Sequence, residues 1–261
     1  VPRQPLDRSF EDASGGADPL TDTLCRRGTI LVGGFGNGKT EIAIALARRL
    51  SRARCAPYLL DLDIVTPYFR PRDIAPQLAA EGVRLVAPQG DVARTPLPAV
   101  AGASADILRR AAQGEATAVV DPGGDAPGVG VVRSLVTPAE GASLLVPYVY
   151  NGSRDSDTPS QASATWRAIE GTSGLRVSHL ISNTHIGRGT TLSDVLRGVA
   201  MARKVAEDWG LPLLAVGTLK ALAADVSREV PDLPVIAVPP CLGLPWESFS
   251  GAPRLNGAGD A

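Results

Sequence analysis

The stretch of sequence that decides the fold is Thr29–Thr40, which reads TILVGGFGNGKT. It begins with an apolar run, continues with four glycines in six residues, and ends in a lysine and a threonine. Residues Gly33–Thr40 match the pattern G-x-x-x-x-G-K-[ST], and Lys39–Leu50 has the apolar spacing of an amphipathic helix. A strand, a glycine-rich turn and a helix in this order predict a binding site for phosphate groups.

This glycine-rich turn, which we call the P-loop, is expected to bind phosphate through its backbone and two side chains. Glycines allow successive N–H groups to point at phosphate oxygens, and the helix dipole favours the same negative charge. Lys39 is expected to reach the β- and γ-phosphates, and the Thr40 hydroxyl to coordinate Mg²⁺. The nucleotide-binding residues predicted here are Gly33, Gly34, Gly36, Asn37, Gly38, Lys39 and Thr40.

The composition is that of an ordinary chain able to bury a hydrophobic core. Hydrophobic residues make up 44% of the 261 residues, and the formal net charge is -1, which disfavours nucleic acid as a partner. Only three of the 26 basic residues are lysines, namely Lys39, Lys204 and Lys220. Because an arginine fork does not replace a compact ammonium group between phosphates, a lysine at position 39 supports phosphate binding.

No apolar run approaches the ~18 residues that a membrane span requires, and no signal-peptide core is visible. The three cysteines, Cys25, Cys55 and Cys241, are widely spaced and form no C-x-x-C pair. Free thiols are therefore favoured over a disulfide framework, and a cytoplasmic location is expected.

Short apolar runs alternate with helical patterns along the chain. Most of these runs are continuously apolar, which is typical of strands buried on both faces of a parallel sheet. The predicted strands are Thr29–Val32, Tyr58–Leu62, Val83–Val86, Ala118–Val120, Ser143–Val149, Val177–Ser182, Leu213–Val216 and Val235–Val238. We predict one three-layer αβα domain with a mostly parallel sheet at residues 23–246, between disordered tails at 1–22 and 247–261.

Acidic residues follow two of the predicted strands. Asp121 ends the strand Ala118–Val120 and is expected to hold Mg²⁺ through water, while Gly124, three residues later, is expected to contact the γ-phosphate. Asp61 and Asp63 follow the strand after the P-loop helix. Because side chains alternate along a strand, both carboxylates are expected on one side, facing Mg²⁺ or the attacking water.

Two arginines, Arg70 and Arg72, come soon after this acidic pair. Ordinary surface arginines are the favoured interpretation. The alternative is that they stabilise transition-state charge or hold an anionic substrate.

The predicted base pocket begins at Asn183, after the strand Val177–Ser182, where its amide can bind a purine edge. Proteins that select guanine carry N-K-x-D at this point, but here Thr184 and Ile186 replace the lysine and the aspartate. ATP is therefore favoured over GTP. Pro239, after the last predicted strand, is expected to lie near the base.

These residues together resemble the MinD/ParA/CobQ-like branch of the SIMIBI class of P-loop NTPases, over roughly residues 28–242. The resemblance implies adjacent P-loop and Asp121 strands and ATP hydrolysis coupled to dimerisation or partner binding. It also implies that Asp63 aids the attack of water. Typical members carry a second lysine after the first P-loop glycine, which reaches across a dimer. Gly34 stands there in this chain, which leaves the dimerisation mode open.

The leading functional hypothesis is an Mg²⁺-dependent ATPase whose conformational cycle serves a partner, for instance in metallocofactor maturation or protein positioning. The partner is not specified by the sequence, and a homodimer is one option. One alternative is a phosphotransferase acting on a small molecule or a polynucleotide 5′ end. Another is a nucleotide-sensing scaffold with little turnover. The loop at 151–158 is expected to contact a partner or substrate.

Overall fold

The computed structural model describes residues 18–63, 70–87, 97–123, 126–154 and 158–239, and for 97–100 and 126–128 it describes the backbone only. Within these ranges the chain forms eight strands and nine α-helices. The strands are β1 (Gly28–Ile30), β2 (Tyr58–Asp61), β3 (Arg84–Val86), β4 (Ala118–Asp121), β5 (Pro147–Tyr150), β6 (His179–Ser182), β7 (Leu213–Leu219) and β8 (Val235–Val238).

The described helices lie before and between the strands. They are α1 (Pro19–Leu24), α2 (Lys39–Arg52), α3 (Ala75–Ala80), α4 (Leu97–Ala112), α5 (Ala126–Arg133), α6 (Pro138–Ser143), α7 (Pro159–Ser173), α8 (Leu192–Trp209) and α9 (Ala223–Glu229). Short 3₁₀ turns at Pro71–Ile74 and Lys220–Leu222 lead into α3 and α9. Among the described helices, none has the length and apolar character needed to cross a membrane.

All eight strands run parallel and place the P-loop strand in the middle of the sheet. Hydrogen bonds join β3, β2, β4 and β1 in that order, and join β5, β6, β7 and β8 in chain order. The two halves meet along β1 and β5, where Thr29 bridges Leu145 and Val32 bridges Tyr148. The carboxyl ends of β1 and β4 therefore lie side by side, as the resemblance implied.

Helices cover both faces of this sheet. Neighbouring strand residues belong to different cores: Leu59 and Val119 pack with α2 on one face, whereas Leu60 and Val120 pack with α4 and α7 on the other. The predicted three-layer αβα architecture is confirmed. All eight predicted strands are present, which agrees with their continuously apolar sequences.

Several element boundaries differ from the sequence prediction, and the two discussed here differ by about four residues. Residues up to 22 were expected to be a tail, but Pro19–Leu24 form α1, whose Leu20 and Leu24 are fully buried in the core. The strand expected from Ser143 begins only at Pro147, because Ser143 is the last residue of α6. A capping box at Thr137 and a proline at the first helical position start this helix. The predicted tail at 247–261 and Cys241 lie outside the described residues.

The expectation of free thiols is wrong for Cys25 and Cys55, which form a disulfide with their Cα atoms 5.7 Å apart. Cys25 precedes β1 and Cys55 precedes β2, and both strands flank β4, so the sheet brings the two cysteines together at its amino edge. Their separation of 30 residues in sequence shows nothing of this proximity. The cytoplasmic expectation loses the support of the free-thiol argument and stays a prediction.

Replacing Cys55 with serine is expected to lower the free energy of unfolding by about 3 to 4 kcal/mol, because the disulfide closes a loop of 30 residues. The measurement is guanidinium unfolding of the oxidised wild type, the variant, and wild type treated with a phosphine reductant. The reduced wild type should match the variant. Equal stability of the oxidised and reduced wild type would contradict the prediction.

Candidate functional site

The P-loop follows β1 at the centre of the sheet and turns directly into α2. Three of its glycines have backbone angles that favour glycine, with φ of 139° at Gly33, 77° at Gly36 and 83° at Gly38. A Cβ at Gly33 would come within 2.5 Å of the Val149 carbonyl oxygen, and one at Gly38 within 2.4 Å of the Asn183 amide nitrogen. The tight packing of this loop explains why the sequence carries glycine at both positions.

Lys39 is held under this loop. Its side chain is buried, with 6% of the residue exposed. The ammonium group donates hydrogen bonds to the carbonyl oxygens of Gly33, at 3.0 Å, and Gly34, at 2.8 Å. A cation is thus fixed at the inner side of the turn, where the motif predicts phosphate.

Two asparagines attach the P-loop to the second half of the sheet. The Asn37 amide donates to the Val149 carbonyl oxygen at 2.9 Å, and the Asn183 amide donates to the Asn37 carbonyl oxygen at 2.8 Å. The structure therefore places Asn183 behind the P-loop, where it braces the loop backbone. Sequence reasoning expected both residues at the nucleotide, but assigned Asn183 to the base and not to this brace.

Asp121 ends β4 beside the P-loop strand and is completely buried. Its Oδ2 atom has no hydrogen-bond partner among the described residues. Burial raises the pKa of Asp121 to about 6, against the opposing effects of a Thr40 hydrogen bond and the Lys39 charge. The charges of Asp61 and Asp63 raise this pKa further. A cation close to a buried carboxylate of this kind strongly stabilises its charged form.

The arrangement of Asp121 and Thr40 fits a magnesium ion bound together with a nucleotide. No group of three or more His, Cys, Asp or Glu side chains within the described ranges could hold a metal ion without help. Mg²⁺ often uses one or two protein oxygens and takes its other ligands from phosphate and water. The orphaned Oδ2 of Asp121 and the Thr40 hydroxyl supply such oxygens, and Mg²⁺ would neutralise charge on the phosphates.

The raised pKa of Asp121 predicts a pH-dependent stability for the protein without nucleotide or metal. Its folded-state pKa of about 6 lies above the ordinary aspartate pKa of 3.8, so between these two pH values the folded chain holds a proton that the unfolded chain has released. This contribution is present below about pH 4 and is lost as the pH rises through about 6. The difference between the two pKa values corresponds to about 3 kcal/mol.

The measurement is the free energy of unfolding of the wild type and of the variant Asp121→Asn between about pH 4 and pH 8. Asparagine keeps the shape of the side chain and cannot ionise. The stability of the variant relative to the wild type should therefore increase as the pH rises. A stability difference independent of pH across this range would contradict the prediction.

The acidic pair after β2 lies in the same region, but its two members have different surroundings. Asp61 is fully buried, and its two oxygens accept hydrogen bonds from the Arg72 guanidinium at 2.7 and 2.9 Å. Arg72 also donates to the backbone oxygen of Asp63. Burial disfavours the charged form of Arg72 and lowers its pKa. The hydrogen bonds and negative charge of Asp61 have a larger combined effect, so the pKa of Arg72 is raised.

The surface-arginine interpretation is therefore wrong for Arg72, whose side chain is only 13% exposed. Arg70 forms a partly exposed ion pair with Asp73 at 3.2 Å, three residues away. The sequence could not distinguish the two arginines, because the partner of Arg72 lies 11 residues earlier on the strand end.

Asp63 packs against the turn that follows Asp121. A Cβ at Gly123 would come within 2.5 Å of the Asp63 carboxyl carbon, and the φ of Gly123 is 83°. The two acidic strand ends are therefore in contact, as their common edge of the sheet predicts. Gly124, expected at the γ-phosphate, lies outside the described residues, while Pro239 directly follows β8 at the same edge.

Arg154 also lies at this site, whereas the sequence prediction placed it in a loop that contacts a partner or substrate. Its guanidinium carbon is 3.2 Å from the position that a Cβ would take on Gly36. Asn151 links this loop to the strand end beyond β6 through hydrogen bonds with the backbone of His185 at 3.2 and 3.3 Å. Burial, aided by the charge of Arg154, lowers the pKa of His185.

Known structures provide an independent comparison for this fold. Cell division protein FtsY from Thermotoga maritima superimposes with a TM-score of 0.51 and 14% sequence identity, over 74% of this chain and 61% of that one. FtsY from Mycoplasma mycoides gives a TM-score of 0.51 and 13% identity, over 73% and 59%. The chain has the three-layer α/β fold of a P-loop NTPase. No family model and no curated protein sequence matches it.

The P-loop NTPase fold with a mostly parallel sheet, as predicted from the sequence, is confirmed. These neighbours do not support the narrower MinD/ParA/CobQ-like assignment. At 13–14% identity the likeness concerns the fold alone, and the matched region spans about three fifths of either FtsY chain.

Proposed function

We propose that this chain is an Mg²⁺-dependent nucleoside triphosphatase whose conformation changes with the bound nucleotide, and that a partner binds according to this conformation. The observation that carries the proposal is the proximity of Lys39 and Thr40, which begin α2, to Asp121 at the end of β4. Lys39 lies buried in the P-loop, and the Asp121 carboxylate has an oxygen without a described partner. Lysine would hold the β- and γ-phosphates, and the threonine and aspartate would hold Mg²⁺.

The contacts of Arg72 favour hydrolysis over transfer to a second substrate. A phosphotransferase needs a pocket for its acceptor, and Arg70 and Arg72 were the candidates to line it. The Arg72 guanidinium instead binds both oxygens of Asp61. Arg70 forms an ion pair with Asp73. Asp63, in contact with the turn after Asp121, is then the carboxylate that would orient the attacking water.

The residues after β6 favour adenine over guanine. Guanine selection uses an aspartate that accepts hydrogen bonds from the base, and Ile186 stands at that position with 60% of its surface exposed. Thr184 replaces the lysine and accepts a hydrogen bond from the backbone of Gly152 at 3.0 Å, so it is engaged within the protein. ATP is accordingly the proposed substrate.

Exposed apolar side chains beside the site support a protein partner. Phe35, in the P-loop, is 70% exposed, and Ile186 is 60% exposed; no other large hydrophobic side chain in the described ranges is classed as exposed. Apolar surface that borders a nucleotide site is a suitable contact for a protein that responds to the nucleotide. Such a partner could be a second copy of this chain, with Gly34 in place of a bridging lysine.

The test is titration of the protein with fluorescent ATP and GTP analogues, with Mg²⁺ and then with a chelator, followed by a phosphate-release assay. We expect Mg²⁺-dependent binding, tighter for ATP, and slow release of phosphate. Absence of binding to either nucleotide would overturn the proposal. Binding without turnover would support the scaffold alternative, and label transferred to an acceptor would support the phosphotransferase alternative.

A further inference from the structure

A cavity of about 230 Å³ lies at the opposite edge of the sheet from the P-loop. It is bordered by the segments that enter β1, β2, β3 and β4, and the Cys25–Cys55 disulfide forms part of its wall. We call it the amino-edge pocket. Its charged lining residues are Arg26, Arg54, Arg84, Arg110 and Glu115.

The amino-edge pocket contains an excess of positive charge. Four arginines and one glutamate line it, and no ion pair involving Arg26, Arg54, Arg110 or Glu115 occurs among the described residues. Many other arginines do pair with carboxylates, including Arg48, Arg49, Arg72, Arg109, Arg197 and Arg203. Like charges gathered around a cavity favour an anion that enters it.

One of the four arginines is already fixed in place. The Arg84 guanidinium lies 3.7 Å from the centre of the Tyr58 ring and donates a hydrogen bond to the Tyr58 hydroxyl at 2.8 Å. It also donates to the Ala56 carbonyl oxygen. A stacked and anchored arginine has little side-chain freedom left to lose when a ligand binds.

The backbone around the amino-edge pocket is unusual. Arg26, Arg54 and Ala56 have φ angles of 58°, 61° and 47°, and they are the non-glycine residues with positive φ in the described part of the chain. All three line the pocket. They lie directly beside Cys25 or Cys55, so the disulfide helps to hold a positive φ, which residues other than glycine rarely adopt. Strained backbone of this kind gathers at functional sites.

The size of the cavity and the chemistry of its walls define the ligand class. Planar guanidinium groups match the oxygens of phosphate, often through two parallel hydrogen bonds. A volume of about 230 Å³ is below the range usual for drug-sized ligands and suits a compact anion. We infer that the amino-edge pocket binds a small soluble phosphate anion, with inorganic phosphate or pyrophosphate as its simplest form, at a site separate from the P-loop.

The experiment is calorimetric titration of the oxidised full chain with pyrophosphate in the absence of Mg²⁺. The pocket variant Arg54→Gln/Arg110→Gln is expected to bind at this site at least tenfold more weakly. The matched control Arg133→Gln/Arg167→Gln removes the same charge from exposed positions outside the pocket and should bind like the wild type. Equal affinity in the pocket variant and the control would overturn the inference.

Two further variants separate this site from the P-loop and from a general charge effect. Lys39→Ala, which is aimed at the nucleotide site, should retain pyrophosphate binding at the amino-edge pocket. Its loss in that variant would mean that the P-loop binds the anion, and would overturn the inference. Glu115→Gln removes the one carboxylate of the pocket and should bind pyrophosphate several-fold more tightly. Weaker binding in this variant would count against the inference.

Folding of the pocket variant is checked by circular dichroism and thermal unfolding. Should the double variant fail to fold, Arg110→Gln replaces it, because Arg110 lies on α4 outside the strained segments. This single change is expected to weaken pyrophosphate binding several-fold, and unchanged affinity would again overturn the inference.

Discussion

Replacing Lys39 with alanine is expected to weaken Mg²⁺-nucleotide binding by about a hundredfold or more and to abolish phosphate release. The ammonium group is buried and fixed to the Gly33 and Gly34 carbonyl oxygens, so it is already positioned for an anion. Truncating one partner of a buried charge pair typically costs more than tenfold in affinity. The measurements are titration with a fluorescent ATP analogue and a phosphate-release assay.

Two control variants make the Lys39 result specific. Lys204→Ala makes the same chemical change on the exposed surface of α8 and should leave nucleotide binding unchanged. Lys39→Arg keeps the positive charge but should not restore affinity, since the planar guanidinium is larger than the ammonium group and differs in shape. Nucleotide affinity unchanged in Lys39→Ala would show that this loop does not bind phosphate.

Replacing Arg72 with alanine is expected to lower the free energy of unfolding by about 3 to 5 kcal/mol, because Asp61 would keep a buried charge without its partner. Asp61 is 0% exposed in its side chain, and Arg72 binds both of its carboxylate oxygens. Denaturant unfolding at neutral pH measures the change.

The control for this prediction is Arg109→Ala, which breaks an ion pair on the surface of α4 whose side chains are about half exposed. Exposed pairs contribute about 0 to 1 kcal/mol, so this variant should be close to the wild type. The double variant Asp61→Asn/Arg72→Met should recover part of the loss, since it removes the unpaired charge as well. Equal stabilities of Arg72→Ala and Arg109→Ala would contradict the assigned pair.

The features that local sequence determines were predictable. The P-loop and the eight strands depend on neighbouring residues, namely glycine spacing, apolar runs and the caps of helices. The contacts between distant segments were not. Neither the Cys25–Cys55 disulfide nor the pair of Asp61 with Arg72 leaves a local pattern, because each depends on how strands are arranged in the sheet. The amino-edge pocket, built from four separate segments, was missed for the same reason.

The central position of β1 has a consequence for the order in which the chain can fold during synthesis. Gly28 pairs with Ala118 on one side, and Thr29 bridges Leu145 on the other. Translation proceeds at about 5 to 20 residues per second, so the strand before the P-loop waits several seconds for its first neighbour. Until then the neighbouring strands of β1 have not been synthesised, so its apolar residues stay accessible to a ribosome-associated chaperone.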